Sequence, residues 1–331
     1  MLKIAINGFG RIGRTALRLL EDDKDIEVVA INDLTDPLQL AYLYKYDSVH
    51  RTNKSKISFE EDELFVKSRK IKVFAEADPL NLPWKELDVD IVLECTGVFT
   101  SVEKCKAHID AGAKHVIISA PAKDDAKTIV YGVNEDILDK SDEIISAASC
   151  TTNCLAPVLK LIDDKYGIKK GFMTTVHAVT NDQETLDIPH KKGIYGRRGR
   201  AASLNIIPTS TGAASQIGKV IPHLDGKLDG LAFRVPVGDG SVIDVTMELS
   251  RNVDVDDVNN MFKSNQSKTL KYTDDPIVSS DIIGEECGAI VDGLLTSVIN
   301  DGDSQLLKVV AWYDNEVGYT AQMIRTMKLF M

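Results

Sequence analysis

Two short runs of residues have types and spacing suited to chemistry. The first is Ser149-Cys150-Thr151-Thr152-Asn153-Cys154, where an apolar stretch from Ile144 to Ala148 meets the start of a helical pattern. A cysteine at the carboxyl end of a strand is exposed to ligands, and a helix N-terminus favours its thiolate. A lone cysteine is usually an inert buried side chain, yet three features point to a nucleophile. Cys150 falls at the sheet edge that also carries Gly8, Thr96-Gly97 and Ser119-Ala120-Pro121, the edge at which open α/β sheets bind ligands. Small hydroxyl residues able to hold an anion surround it. A histidine, His177, lies in a second strand-like stretch, Thr174 to Thr180, and can serve as its base. Cys154 has no such base and reads as structural. The other histidines, His50, His108, His115, His190 and His223, read as loop or surface residues without a nucleophile beside them. No second Cys or His pair accompanies Cys150 and Cys154 at metal-like spacing, so no metal site is expected.

The second run is Gly8-Phe9-Gly10-Arg11-Ile12-Gly13, a GxGxxG directly after a strand and opening a helix. Gly8 permits the tight turn, Gly10 lets the backbone approach a pyrophosphate, and Gly13 lets helix and strand pack closely. A following strand ends in Asn32-Asp33, which places Asp33 20 residues beyond Gly13, where a carboxylate accepts the adenosine ribose hydroxyls. Asp33 would repel a 2′-phosphate, and Leu34-Thr35-Asp36 supplies no arginine to receive one. The expected cofactor is NAD rather than NADP.

These groups need a frame. Strands are expected at Lys3–Asn7, Ile26–Asn32, Ile91–Cys95, His115–Ser119, Thr128–Tyr131 and Glu143–Ala147, with helices at Arg11–Leu20, Pro37–Tyr46 and Val102–Ala111, and a small meander at 57–74. Strands alternating with helices imply an α/β fold: a Rossmann-type, mostly parallel sheet with both faces covered. From about residue 150 the strands lengthen: Phe172–Val179, Leu228–Val235, Val242–Leu249 and Leu306–Tyr313. Gly238-Asp239-Gly240 reads as a hairpin turn joining two of them, which implies an α+β catalytic domain with an antiparallel sheet. Pro157 should shorten or kink the helix over 151–166. The expected division is an NAD-binding domain, 1–149, completed by a C-terminal helix at 315–331, and a catalytic domain, 150–314.

Composition sets limits on partners. The chain has 331 residues, 44% of them hydrophobic and 27% charged, and a formal charge of −11. That describes about two globular domains, and the acidic balance argues against nucleic acid and anionic membranes. No transmembrane span or secretory segment is read, and five scattered cysteines fit a reducing compartment, so a cytoplasmic protein is expected. Charge is uneven, however. His190–Arg200 holds five cations and no acid, leaving −16 on the remainder. Lys191 and Lys192 read as solvated. Arg197 and Arg200 are expected to form a cationic rim for phosphorylated substrate, a field that salt weakens.

With Ile207-Pro208-Thr209-Ser210-Thr211-Gly212-Ala213-Ala214 and Trp312-Tyr313-Asp314-Asn315-Glu316 added to the glycine and cysteine runs, the chain resembles the phosphorylating glyceraldehyde-3-phosphate dehydrogenases along its whole length. The resemblance implies NAD-dependent oxidation of glyceraldehyde 3-phosphate to 1,3-bisphosphoglycerate, through a thiohemiacetal and then a thioester on Cys150, with His177 as base. It implies Ser149, Thr151, Thr211 and Gly212 around inorganic phosphate, and Thr180 and Arg234 on the substrate's 3-phosphate. Arg11, Ile12, Asp33, Ser119 and Asn315 would contact NAD, Asn315 near the nicotinamide carboxamide, and Ala77, Thr96 and Gly97 complete the expected cofactor set. A homotetramer is implied, its loop 180–204 crossing a subunit interface. The alternatives are an erythrose-4-phosphate dehydrogenase, against which Thr180 and the Thr209–Gly212 run stand, and a non-catalytic NAD-binding sensor, against which the Cys150/His177 pair stands.

Overall fold

A computed structural model describes residues 1–302 and 304–331. The chain divides into two compact units, residues 1–149 with 323–331, and residues 150–322. Among the described residues no helix is long and apolar enough to cross a membrane.

The first unit runs β1 (Leu2–Asn7), α1 (Arg11–Leu20), β2 (Ile26–Asn32), α2 (Pro37–Lys45), β3 (Ile57–Glu60), β4 (Glu63–Val66), β5 (Arg69–Phe74), β6 (Ile91–Glu94), α3 (Val102–Asp110), β7 (His115–Ile118), β8 (Lys127–Thr128) and β9 (Ile144–Ser146). Its sheet has the order β3-β4-β5-β2-β1-β6-β7-β9-β8. Only the β3-β4-β5 meander is antiparallel; every other pairing is parallel. β1 lies centrally, and the chain adds β2 on one side of it and β6 on the other. Their connections therefore diverge at the carboxyl ends of β1 and β6, the crevice where such sheets bind ligands. The four residues of β6 are all buried, as a strand covered on both faces requires. On α1 the buried face is Gly13, Ala16, Leu17 and Leu20 with Thr15. The C-terminal residues belong to this unit: Lys328 pairs with Asp23 at 2.6 Å, and the Phe330 ring lies 4.3 Å from that of His115.

The second unit runs α4 (Cys150–Tyr166), β10 (Ile168–His177), β11 (Ile207–Ser210), α5 (Ala213–Val220), β12 (Leu228–Arg234), β13 (Ser241–Leu249), α6 (Val255–Ser264), β14 (Leu270–Thr273), β15 (Ala289–Asp292), β16 (Ser297–Asp301) and β17 (Ser304–Tyr313). The unit boundary then passes through α7 (Val317–Met327). Strand order is β11-β12-β10-β13-β17-β15-β14, with β16 on β17.

Three expectations fail here. Gly238–Gly240 is not a hairpin turn, because β12 and β13 do not pair: β10 lies between them, parallel to β12 and antiparallel to β13. The sheet is mixed rather than antiparallel, since β14 and β15 are also parallel. A connection that crosses one intervening strand needs about 10 Å, within the reach of the residues between Arg234 and Ser241. Gly240 itself is required locally; its φ is 88°, and a Cβ there would lie 2.2 Å from the Ser279 carbonyl oxygen. Pro157 does not shorten its helix either, as α4 is continuous through it. Pro157 offers no N–H to the Asn153 carbonyl, and Gly288 packs against that oxygen so closely that a Cβ would sit 2.7 Å away.

Candidate active site and cofactor cavity

Strand register builds the second unit's site. Parallel pairing of β10 with β12 sets His177 opposite Arg234. Antiparallel pairing of β13 with β17 sets Ser241 opposite Tyr313, and Val176 opposes Val242 on the shared edge of β10 and β13. Four polar side chains thus gather at one end of the sheet, where α4 begins with Cys150. Its sulfur lies 3.4 Å from His177 Nε2. The chain reaches that helix through Ala148, whose φ of 59° is rare for a residue with a Cβ.

Two contacts compete for the histidine's Nδ1. The Ala178 carbonyl oxygen, 2.7 Å away, accepts from it when it carries the proton, whereas the Arg234 Nη1 donor at 2.8 Å favours the unprotonated nitrogen. With the proton on Nδ1, Nε2 presents its lone pair to the thiol. Arg234 Nη1 lies beside Nδ1 and donates to the Ala178 carbonyl and to Thr180 Oγ1, each at 3.1 Å. Burial, and then the Arg234 charge, lower the His177 pKa to about 3. Burial also pushes the Cys150 thiol up, more than the Arg234 charge and the Thr151 hydrogen bonds pull it down. Burial thus opposes the thiolate that the helix end was expected to favour, and it opposes the imidazolium as well.

The surrounding residues divide. Thr151 turns its hydroxyl inward to Tyr313 OH at 2.9 Å, and Tyr313 OH also meets Thr175 Oγ1 at 2.8 Å. The Tyr313 ring stands edge-on to His177, with centroids 5.9 Å apart. Ser241 Oγ receives the Ala178 N–H at 3.0 Å and donates to Asn315 Oδ1 at 2.7 Å, which leaves the Asn315 amide nitrogen pointing away from Ser241. Thr180 is hydrogen-bonded to Asp182, which pairs with Arg198. Arg198 also donates to Thr209 Oγ1 at 3.2 Å. Arg197, the expected phosphate ligand, lines a cavity of about 790 Å³ together with Lys191, Lys192, Arg198, Asp182 and Thr209, and Arg200 pairs with Asp187. In the Arg197-Arg198 pair it is the second guanidinium that turns toward Thr180. Thr211 and Gly212 form the start of α5, where Thr211 Oγ1 accepts the Ala213 N–H. Ser149 is the last residue before Cys150 and closes the first unit's main segment. Sequence reasoning missed Asp182, Arg198, Ser241 and Tyr313 as site neighbours. Only Tyr313 had a signal, its place in the Trp312–Glu316 run.

The first unit carries a cavity of about 350 Å³ at the β1/β6 crevice, lined by Asn7, Gly8, Gly10, Asn32, Asp33, Ala77, Cys95 and Thr96 among others. A dinucleotide's requirements are met there. Gly8 has φ 90°, and a Cβ on it would lie 2.6 Å from Thr96 N; a Cβ on Gly13 would lie 2.2 Å from the Gly8 carbonyl oxygen. Above Gly10 the space is open, and no side chain caps the α1 N-terminus. An anion can approach the helix's first N–H groups. Asp33 accepts the Phe9 N–H at 2.7 Å and the Thr35 N–H at 2.9 Å, which fixes its carboxylate at the rim. Gly97, with φ 71°, follows Thr96. Ile12 lies in the first turn of α1, and Ser119 follows β7, where it hydrogen-bonds Cys95. Arg11 is turned to Asp47; burial opposes ionisation of that carboxyl, but the His50 N–H and Arg11 outweigh it and bring its pKa to about 2.

One histidine was misread from sequence. His108 is not in a surface context: it is fully buried on α3, against Trp84 and Glu94.

Both parts of the chain match known protein domains. Residues 2–102 match the NAD binding domain of glyceraldehyde 3-phosphate dehydrogenase, and residues 149–315 match its C-terminal domain. The chain belongs to the glyceraldehyde-3-phosphate dehydrogenase family. It is 55% identical over 330 residues to a glyceraldehyde-3-phosphate dehydrogenase of Clostridium pasteurianum, covering 100% of this chain and 98% of the relative. It is 50% identical over 331 residues to one of Streptococcus pyogenes, with the same coverage of both chains. As a member of this family it is an NAD-dependent oxidoreductase.

Proposed function

We propose that the protein oxidises glyceraldehyde 3-phosphate with NAD and captures the product with inorganic phosphate as 1,3-bisphosphoglycerate, acting in the cytoplasm as a homotetramer. The observation that carries this reading is the Cys150 thiol 3.4 Å from His177 Nε2. Burial disfavours the separate ions, so the proton passes from Sγ to Nε2 as sulfur bonds to the aldehyde carbon. The hemithioacetal oxygen is stabilised by the Cys150 N–H and takes the proton back from His177, which restores the neutral imidazole. That hydroxyl proton then returns to His177 as the C–H bond breaks. The Gly8–Gly13 loop and Asp33 would hold NAD, which would supply the hydride acceptor. Cys150 is left as a thioester, and attack by a phosphate oxygen on its carbonyl expels the thiolate and forms the acyl phosphate. Thr180 and Arg234 support a phosphate group on the substrate: Arg234 Nε is buried with no hydrogen-bond partner among the described residues, an unspent donor beside the base. The tetramer is supported by the family resemblance and by apolar side chains left in solvent on the 186–206 segment, among them Ile194, 90% exposed, and Tyr195, 84% exposed.

Cys150→Ser should abolish NADH formation from glyceraldehyde 3-phosphate, and His177→Asn should lower kcat by roughly 10²–10⁴, the usual loss for a general base. Near-normal turnover by the Cys150→Ser protein would refute the assignment.

A further inference from the structure

Behind the cofactor cavity lies a group that the reaction does not use. Glu94, at the end of β6, is fully buried, as is His108 on α3. The Glu94 carboxylate gathers donors from three directions. Its Oε1 accepts the Thr96 N–H at 2.8 Å and also the Thr96 hydroxyl. Its Oε2 accepts Asn7 Nδ2 at 2.6 Å and lies 3.2 Å from His108 Nε2. Trp84 Nε1 donates to His108 Nδ1 at 3.0 Å, so the ring's proton is on Nε2, facing the carboxylate. Asn7 in turn accepts from Asn32 Nδ2 at 2.7 Å, and Asn32 exchanges hydrogen bonds with the backbone of Glu76. Asn7, Asn32, Glu76 and Thr96 all line the cavity. A buried carboxylate is tolerated only where its acceptor sites are filled, and here two of the residues that fill them, Asn7 and Thr96, also line the cofactor cavity.

We infer that Glu94 is a positioning residue for NAD: from behind the cavity, its carboxylate ties the Asn7–Gly8 turn to the Thr96–Gly97 turn, with His108 and Trp84 as its buried support. The spacing between those turns is tight, because Gly8 already approaches Thr96 N within the reach of a single Cβ. Replacing one acceptor oxygen by an amide sets two donors against each other and pushes the turns apart. The inference rests on the reading of this cavity as the NAD site.

The test is calorimetric titration of the full-length protein with NAD, alongside steady-state kinetics. Glu94→Gln should weaken NAD binding by tenfold or more and raise KM for NAD in proportion, while kcat at saturating NAD and KM for the aldehyde stay within about twofold. A purely structural role would lower the melting temperature and leave NAD affinity within twofold, and that result would overturn the inference. Should Glu94→Gln fail to fold, His108→Gln carries the test, with at least threefold weaker NAD binding expected and unchanged binding contradicting it. Asp33→Ala separates the two levels: if it too leaves NAD binding untouched, the reading of the cavity fails; if it weakens binding and Glu94→Gln does not, only the positioning role fails.

Discussion

At the scale of single residues, desolvation sets the chemistry. It raises the Cys150 thiol's pKa and lowers that of His177, so burial disfavours both charged forms. The same force acts on Asp239, which lies buried near Asp314 and Glu316. Burial and then those two charges push its carboxyl pKa up to about 9. An unfolded Asp239 would ionise in the ordinary carboxylate range, so the native state holds a proton that the unfolded chain has released. The contribution to stability is whole below that range and is lost as pH rises toward about 9. His177 has the opposite sign: its lowered pKa contributes stability that is whole above the ordinary imidazole value and falls away toward about pH 3. Asp239→Asn keeps an acceptor for the Gly240 N–H and removes the titrating group. Melting temperatures measured between about pH 5 and pH 9 should fall with pH in the parent and be markedly flatter in the variant. Parallel slopes would contradict the reading. Cys150 and Asp33 were legible in the sequence because each sits at a fixed offset from a local signal, a strand–helix junction or a glycine run. His108 was not, because its burial depends on Trp84 and Glu94, each more than ten residues away in the chain.

At the scale of elements, the strand–turn–helix from Leu2 to Leu20 is the part most fully specified by local chemistry. Its helix boundaries were readable from the sequence, since glycines mark the turn and apolar spacing marks the helix. Its geometry also leaves no slack. Gly13→Ala would put a methyl group 2.2 Å from the Gly8 carbonyl oxygen, so α1 must move off β1. Overpacking of this kind costs about 1–3 kcal/mol. The expected outcome is a lower denaturation midpoint together with weaker NAD binding; unchanged affinity would show that the α1–β1 approach does not shape the cofactor site. In the second unit the strands were recognisable but their pairing was not. Placing β10 between β12 and β13 is a non-local choice, and a glycine-rich turn looks the same whether it joins neighbours or crosses a strand. That choice is what sets Arg234 beside His177.

At the scale of the whole molecule, an acidic chain keeps a cluster of cations near one loop, and the structure redistributes their roles. Arg198 joins Thr180 through Asp182, Arg200 is spent on Asp187, and Arg197 lines a basic cavity that Asp182 and Arg198 share. The exposed apolar residues of that region bear on assembly. Ile194→Glu should shift sedimentation from tetramer toward smaller species, and a variant that sediments with the parent would remove this face from the proposed interface. The central claim, that oxidation proceeds through a thioester on Cys150 released by phosphate, is tested most directly by following NADH formation with glyceraldehyde 3-phosphate and NAD, with and without inorganic phosphate. The account predicts sustained turnover with phosphate and, without it, a burst that stalls near one NADH per Cys150. Sustained turnover at the same rate in the absence of phosphate would contradict it.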